Sequence, residues 1–264
     1  MYIHHLRNAT LVIETKKYKI LIDPMIGKKG SMPPFAFFRH EARKNPTVEL
    51  PENSREVLKG ITHCFITHCQ KGHFDHLDKD GIQFLRKNNI PIICSVKDKK
   101  YLIDKGLNIL NALEDWELFN FPKNEITVSA IPALHGKGWI TKFMANGVGY
   151  FISIEGEPNI YISGDTVLTK DVKKAIKTFQ PDITVVASGI ARLDFGKPIL
   201  MQVDEILEFI KLSPIKVISN HLEALNHCPF KRIELKQELT HFDLLDKVWI
   251  PMDGESMEFH KKSS

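Results

Sequence analysis

Three stretches of this chain, EITVSAIPALHG, NIYISGDT and IKVISNH, each run a short apolar segment straight into one donor side chain: His135, Asp165 and His221. Short runs rich in valine, isoleucine and threonine, bounded by glycine, proline or asparagine, read as strands. A histidine at a strand end is usually a polar cap. Three strand ends that each deliver a histidine or aspartate are hard to explain as core packing. They call for a fold whose strands end at a common rim.

A fourth stretch supplies more donors. In ITHCQKGHFDHLD, residues 66–78, the half His73-Phe74-Asp75-His76 reads as a metal-binding cluster. In an extended backbone residues 73 and 75 point one way and 76 another, so the segment can serve two neighbouring metals. Neutral imidazole and carboxylate suit Zn²⁺, and also Mn²⁺ or Fe²⁺. Alone, the same letters also describe a polar surface loop. The three strand-end donors raise the cluster above that reading.

The rest of the chain supplies the frame. ATLVIETKKYKILIDP reads as a hairpin ending at Asp23-Pro24. Residues 27–51 lack either hydrophobic period, carry several prolines and contain Phe35, Phe37 and Phe38. A loop this long inside a compact domain points to function or disorder, and the three aromatics argue against simple disorder; an active-site cover and a loop packed on the surface by its own aromatics both stay open. Strands are predicted at ITHCFIT, IPIICSV, WELFNF, EITVSAIPA, GVGYFISIE, NIYISG, DITVVAS and IKVISN. Helices are predicted at KDGIQFLRKNN, KDKKYLIDKG, LTKDVKKAIKTF, VDEILEFIK and FKRIELKQEL, with two short strands closing the chain around a Pro251–Glu255 turn. Antiparallel strands are expected to dominate each half. Helices on the outer faces of two sheets would bury the apolar runs, which gives an α/β, four-layer αββα sandwich over residues 1–264 as a single domain.

Bulk properties narrow the function classes. With 43% apolar and 26% charged residues and a net charge of +4, the 264-residue chain has no basic run that would track phosphates, so no nucleic-acid partner is expected. Cys64, Cys69, Cys94 and Cys228 show no C-x-x-C pairing and fit reduced thiols. Neither a secretory signal nor a bilayer-spanning apolar run is evident. A cytoplasmic protein acting on a small molecule is the expectation, with room for a homo-oligomer.

Taken together, these motifs resemble the metallo-β-lactamase superfamily of metal-dependent hydrolases. Its pattern is T-H-x-H-x-D-H after one strand, a distant histidine, a G-D pair and a final histidine. Thr67-His68 and His73-x-Asp75-His76 match the two halves of the first motif, His135 the second element, Gly164-Asp165 the third and His221 the fourth. LIDP, AIPALHG and YISGDT look like the branch of ascorbate-6-phosphate lactonase and N-acylphosphatidylethanolamine phospholipase D. One departure stands out: four residues, Cys69 to Gly72, separate His68 from His73 where the family has one. Counting back from His73 lands on Lys71, whose ammonium has no lone pair to give. Matching by strand end keeps His68 and lets Gln70-Lys71-Gly72 bulge outward, helped by Gly72. That alignment is preferred, with Cys69 the next substitute. His63 falls on the other face of its strand.

The resemblance implies one metal on His68, His73 and His135, a second on Asp75, His76 and His221, and Asp165 bridging both. The cofactors would be two divalent ions, Zn or Mn, with Fe as a further option. Hydroxide generated at the metals would attack an ester, lactone or amide carbon, with Asp75 orienting it. His227, in HLEALNHCP, offers a proton donor to the leaving group or a hydrogen-bond partner for a ligand histidine. The same segment also reads as a polar helix start. Asp23 is expected to support the site from outside, Asp253 and Glu255 to make a tight turn, and Arg192 and Lys197 to be solvated loop charges. Two other functions stay open: a phosphodiesterase acting on a phospholipid or nucleic acid, and a metal-binding protein without turnover.

Overall fold

The computed structural model describes residues 1–70, 72–145 and 147–261. Its strands are β1 Tyr2–Arg7, β2 Thr10–Glu14, β3 Lys19–Ile22, β4 His63–Phe65, β5 Ile92–Ser95, β6 Ile109–Leu113, β7 Leu118–Phe121, β8 Ile126–Pro132, β9 Val148–Ile154, β10 Ile160–Ile162, β11 Ile183–Ala187, β12 Lys216–Asn220, β13 Val248–Trp249 and β14 Ser256–Glu258. The helices are α1 Ser54–Val57, α2 Lys79–Lys87, α3 Val96–Asp104, α4 Lys170–Phe179, α5 Val203–Leu212 and α6 Arg232–His241. A 3-10 turn covers Gly138–Lys142.

Two sheets form, ordered β14-β1-β2-β3-β4-β5-β6 and β13-β12-β11-β10-β9-β8-β7. Their facing sides make one apolar layer, in which Leu11, Ile13, Ile20, Ile22 and Phe65 meet Val128, Tyr150, Ile152, Val185 and Ile218. On the outer face of the first sheet Leu85 of α2 and Leu102 of α3 pack on Leu21, Cys64, Ile92 and Cys94. On the outer face of the second, Val172 and Ile176 of α4, Phe209 and Ile210 of α5 and Leu235 and Leu239 of α6 cover Tyr161, Val186 and Val217. The αββα sandwich expected from the sequence is the architecture found.

The expectation that antiparallel strands dominate does not hold. Among the described residues β14-β1-β2-β3 and β7-β8-β9-β10 pair antiparallel, but β3 to β6 and β10 to β13 run parallel. Runs such as ITVVA, buried along their whole length, belong inside a sheet covered on both faces. The helix α5 between β11 and β12 then forces a parallel crossover rather than a hairpin. The two closing strands also part company, β13 joining the edge of one sheet and β14 the edge of the other. Strands β1 and β6 lie outside the predicted set. No helix among the described residues is long and apolar enough to cross a membrane.

Candidate metal centre

The parallel strands determine where the donors go. β3 ends one residue before Asp23, β4 leads through Ile66 and Thr67 to His68, β8 leads to His135, β10 to Asp165 and β12 to His221. All of these ends lie on one rim, and the loop after β4 carries His73, Asp75 and His76 to the same place. Every one of these side chains is buried.

Two groups result. Donor atoms of His68, His73 and His135 lie within 4.8 Å of one another, as do those of Asp75, His76, Asp165 and His221. The rings of His68 and His73 have centroids 4.6 Å apart, and those of His73 and His135 4.9 Å. Asp165 touches both groups: its Oδ2 is 3.2 Å from His76 Nε2, 3.3 Å from His221 Nε2 and 3.6 Å from His135 Nε2. Asp75 Oδ2 lies 3.5 Å from His221 Nε2 and 3.6 Å from His76 Nε2. All seven residues predicted as metal ligands are therefore brought together, His68 included.

How the chain reaches His73 from His68 is clear on either side of Lys71, which lies outside the described residues. Gln70 is held by Asp98 Oδ1 at 2.9 Å and by the Lys97 carbonyl. Gly72 takes φ +88°, and the His73 amide donates back to the Gln70 carbonyl. Cys69 points away from the cluster, into the apolar layer beneath α2 and α3. His63 sits at the start of β4 against Tyr18 and Phe121, away from the rim.

Each of the five histidines has its Nδ1 occupied. The partners are Thr67 Oγ1 for His68 at 3.0 Å, the Gln70 carbonyl for His73 at 2.5 Å and Asp23 Oδ2 for His76 at 2.9 Å. For His135 the partner is the Ile199 carbonyl at 2.8 Å, and for His221 it is Cys228 Sγ at 3.5 Å. An Nδ1 so held fixes the ring and leaves the Nε2 lone pair for a cation. Nε2 of His68, His76 and His221 and Oδ1 of Asp165 are buried without a hydrogen-bond partner. Each such atom costs about 1–3 kcal/mol if nothing satisfies it. The donor set fits divalent cations on this ground.

The electrostatics agree. Burial, with the neighbouring His76 and His73, drives the His68 pKa well below its ordinary value. Burial also lowers that of His73, and holds His135 at about 3. These rings stay neutral, as a metal ligand must. In the other group burial opposes charge, but Asp165 and its neighbours lift His76 and His221 well above the ordinary range. Burial would raise Asp75 and Asp165 too, yet the two imidazoles pull both far down. Two buried carboxylates so placed demand positive charge between them.

Asp23 supports the site as expected. It accepts from the Thr67 amide at 2.8 Å and the Thr67 hydroxyl at 2.7 Å besides holding His76. Asn8 was not foreseen: its carbonyl accepts the His221 amide at 3.0 Å and its side-chain amide donates to the Asp75 carbonyl at 3.2 Å. Nothing in its turn, Asn8-Ala9, distinguishes it in the sequence. Asn8, Asp23 and His221 all adopt left-handed φ values, so backbone strain gathers around the centre. The segment from His221 to Pro229 is an irregular loop rather than a helix start. Its Asn226 accepts the Phe35 amide and donates to the Ala36 and Glu41 carbonyls, tying the 27–51 loop to the rim. Asp253 bonds Arg232, Glu255 accepts from the Met252 amide within its turn, and Arg192 is engaged with Gln202.

A pocket of about 350 Å³ opens on the cluster, with His73, Asp75, His135 and His227 on its floor and Phe35, Ile140, Phe143, Met144, Leu193 and Ile199 on its walls. Among the described residues no lysine or arginine lines it. A larger cleft of about 650 Å³, between Arg55, Leu58 and Phe84, holds none of the clustered residues.

Residues 18–218 match the β-lactamase superfamily domain. The chain belongs to this superfamily. It is 32% identical over 262 residues to the UPF0173 protein YddR of Bacillus subtilis, covering 98% of this chain and 100% of that one. A UPF0173 metal-dependent hydrolase of Alkaliphilus metalliredigens is 28% identical over 222 residues, covering 82% of each chain. Among solved structures, an isothiocyanate hydrolase from Delia radicum gut bacteria superposes with a TM-score of 0.87 at 30% identity, over 98% of this chain and 99% of that one. Those of these relatives whose names state an activity are hydrolases, and the UPF0173 relative from Alkaliphilus metalliredigens is named as metal-dependent.

Proposed function

We propose that the protein hydrolyses a small uncharged molecule at an electrophilic carbon, an ester, lactone or amide, using two divalent cations, Zn or Mn. His68, His73 and His135 would hold one, Asp75, His76 and His221 the other, and Asp165 would stand between them. Bound there, the cations would supply Lewis acidity and acidify water near neutral pH. The rest falls to the chain. Asp75, at the pocket floor, orients the attacking water and takes its proton. His227, buried beside the same pocket, gives a proton to the departing group. Phe35, Phe143 and Ile199 keep bulk water from the reacting carbon, and the 27–51 loop, anchored by Asn226, acts as the cover.

The observation that carries this reading is the pocket itself: a small apolar chamber over a buried donor cluster, with no described cation to meet a phosphate or carboxylate. That lining favours a neutral carbon electrophile over a phosphodiester. It also suits the substrate class named for the isothiocyanate hydrolase, which places isothiocyanates beside esters and lactones as candidates.

The test is a hydrolysis panel on Zn-, Mn- and Fe-loaded protein: an aryl ester, a lactone, an amide, an aryl isothiocyanate and an aryl phosphodiester. Turnover of at least one carbon electrophile, well above the phosphodiester, is expected. Turnover of the phosphodiester alone would reverse the substrate assignment. No turnover by fully loaded protein would make this a metal-binding protein without chemistry.

A further inference from the structure

Four of the five clustered histidines are anchored through Nδ1 by oxygen; His221 alone is anchored by sulfur. The same sulfur, Cys228 Sγ, also lies 4.0 Å from Nε2 of His227. His227 is buried, its Nδ1 has no hydrogen-bond partner and its ring meets Phe35 edge-on at 5.2 Å. One buried atom thus connects a donor of the cluster to the floor of the pocket.

The surroundings are shaped for that sulfur. His221 sits at φ +60°, a conformation a histidine adopts only when its neighbours hold it there. Gly189, just past β11, leaves the space: a Cβ on it would lie 2.3 Å from the His221 carbonyl and 3.0 Å from Cys228 Sγ. The backbone then turns back, with the Cys228 amide donating to the Leu225 carbonyl at 3.1 Å. Cys64, Cys69 and Cys94, by contrast, are packing residues in the layer under α2 and α3.

We infer that Cys228 is a positioning residue: its sulfur accepts from His221 Nδ1, turning Nε2 toward Asp75 and Asp165, and holds His227 by Nε2 so that Nδ1 stays free at the pocket. This rests on the reading of the cluster as a metal centre. Sulfur is a weak acceptor, but a long one, and its reach lets a single side chain serve two rings. Removing the sulfur frees both rings at once. Swapping it for oxygen restores an acceptor, on a slightly shorter bond to Cβ.

The experiment is chelator competition on metal-loaded protein, read by elemental analysis, for wild type, Cys228→Ala, Cys228→Ser and the packing control Cys94→Ser, with urea unfolding of each. For Cys228→Ala, metal retention about 10–100-fold weaker is expected, the range for lost outer partners of a ligand histidine. Cys228→Ser should recover most of it, and Cys94→Ser should match wild type in retention. Cys228→Ala retaining metal like wild type would overturn the inference and leave the metal centre standing. Ala and Ser variants equally weakened, in step with lost unfolding stability, would overturn it in favour of plain packing. Wild type that retains no metal would overturn both readings.

Discussion

Asp23→Asn removes one charge and almost no volume, at a position whose backbone conformation suits either residue. Asp23 has φ +45°, a region asparagine tolerates better than most residues, so no backbone penalty is expected. Its carboxylate now accepts from the Thr67 amide, the Thr67 hydroxyl and His76 Nδ1. An asparagine keeps one oxygen. If that oxygen stays on the Thr67 amide, the NH₂ group faces the hydroxyl, which can rotate to accept, and Nδ1 of His76, which must then lose its proton. The His76 tautomer reverses and the proton moves to Nε2, the atom that faces Asp165 and would hold the proposed cation. One charge-assisted hydrogen bond is lost, about 1.5–3 kcal/mol of stability in the metal-free protein. Metal affinity at the Asp75–His76–His221 group should drop about 10–100-fold. Urea unfolding in chelator measures the first, and chelator competition with elemental analysis the second. An asparagine variant within about 0.5 kcal/mol of wild type that holds metal equally well would refute the argument that the Asp23 charge orients His76.

Other perturbations reach the same centre by different routes. In Gly147→Ala the new Cβ would lie 2.5 Å from the Thr67 carbonyl and 2.6 Å from His68 Cβ, so His68 must move. A loss of about 1–3 kcal/mol in urea unfolding, with the His68-side metal lost first, is expected; wild-type stability and metal content would contradict the packing described. Burial alone would lower the His227 pKa, but Cys228 and Asp75 carry it above the ordinary value. The proton donor is therefore present below the raised pKa and is lost as pH rises through it. The rate should fall on the alkaline side, and that limb should vanish in His227→Gln; an unchanged limb would remove His227 from the reaction. Phe35→Ala opens one pocket wall, so kcat/KM should fall for the smallest substrates and rise for bulkier acyl groups in a panel of esters of graded size.

Most of the donor set was legible because its signal is chemical: a histidine or aspartate after an apolar run has few other reasons to be there. The stretched first motif was read through the strand rather than by counting, since β4 fixes where His68 emerges whatever the length of the loop beyond it. Sheet direction was less legible. The strand β11, ITVVA, looks the same in a parallel or antiparallel sheet; only the helix between it and β12 decides. Strand β1 hid in YIHHLR, whose histidines mask its period. The supporting partners were the least visible. Ile199 and Gln70 act through backbone carbonyls, which no side-chain pattern records. Cys228 acts through a contact between neighbours in one loop, and Asn8 through a turn that reads like any other.

Metal per chain, measured by elemental analysis on wild type and His68→Ala after identical dialysis, bears most directly on the paired centre. About two metals in the wild type, falling to about one in the variant, is the expected result. About two in both would mean that His68, though beside His73 and His135, is not a ligand. One or none in the wild type would contradict the two-cation centre and the hydrolysis built on it.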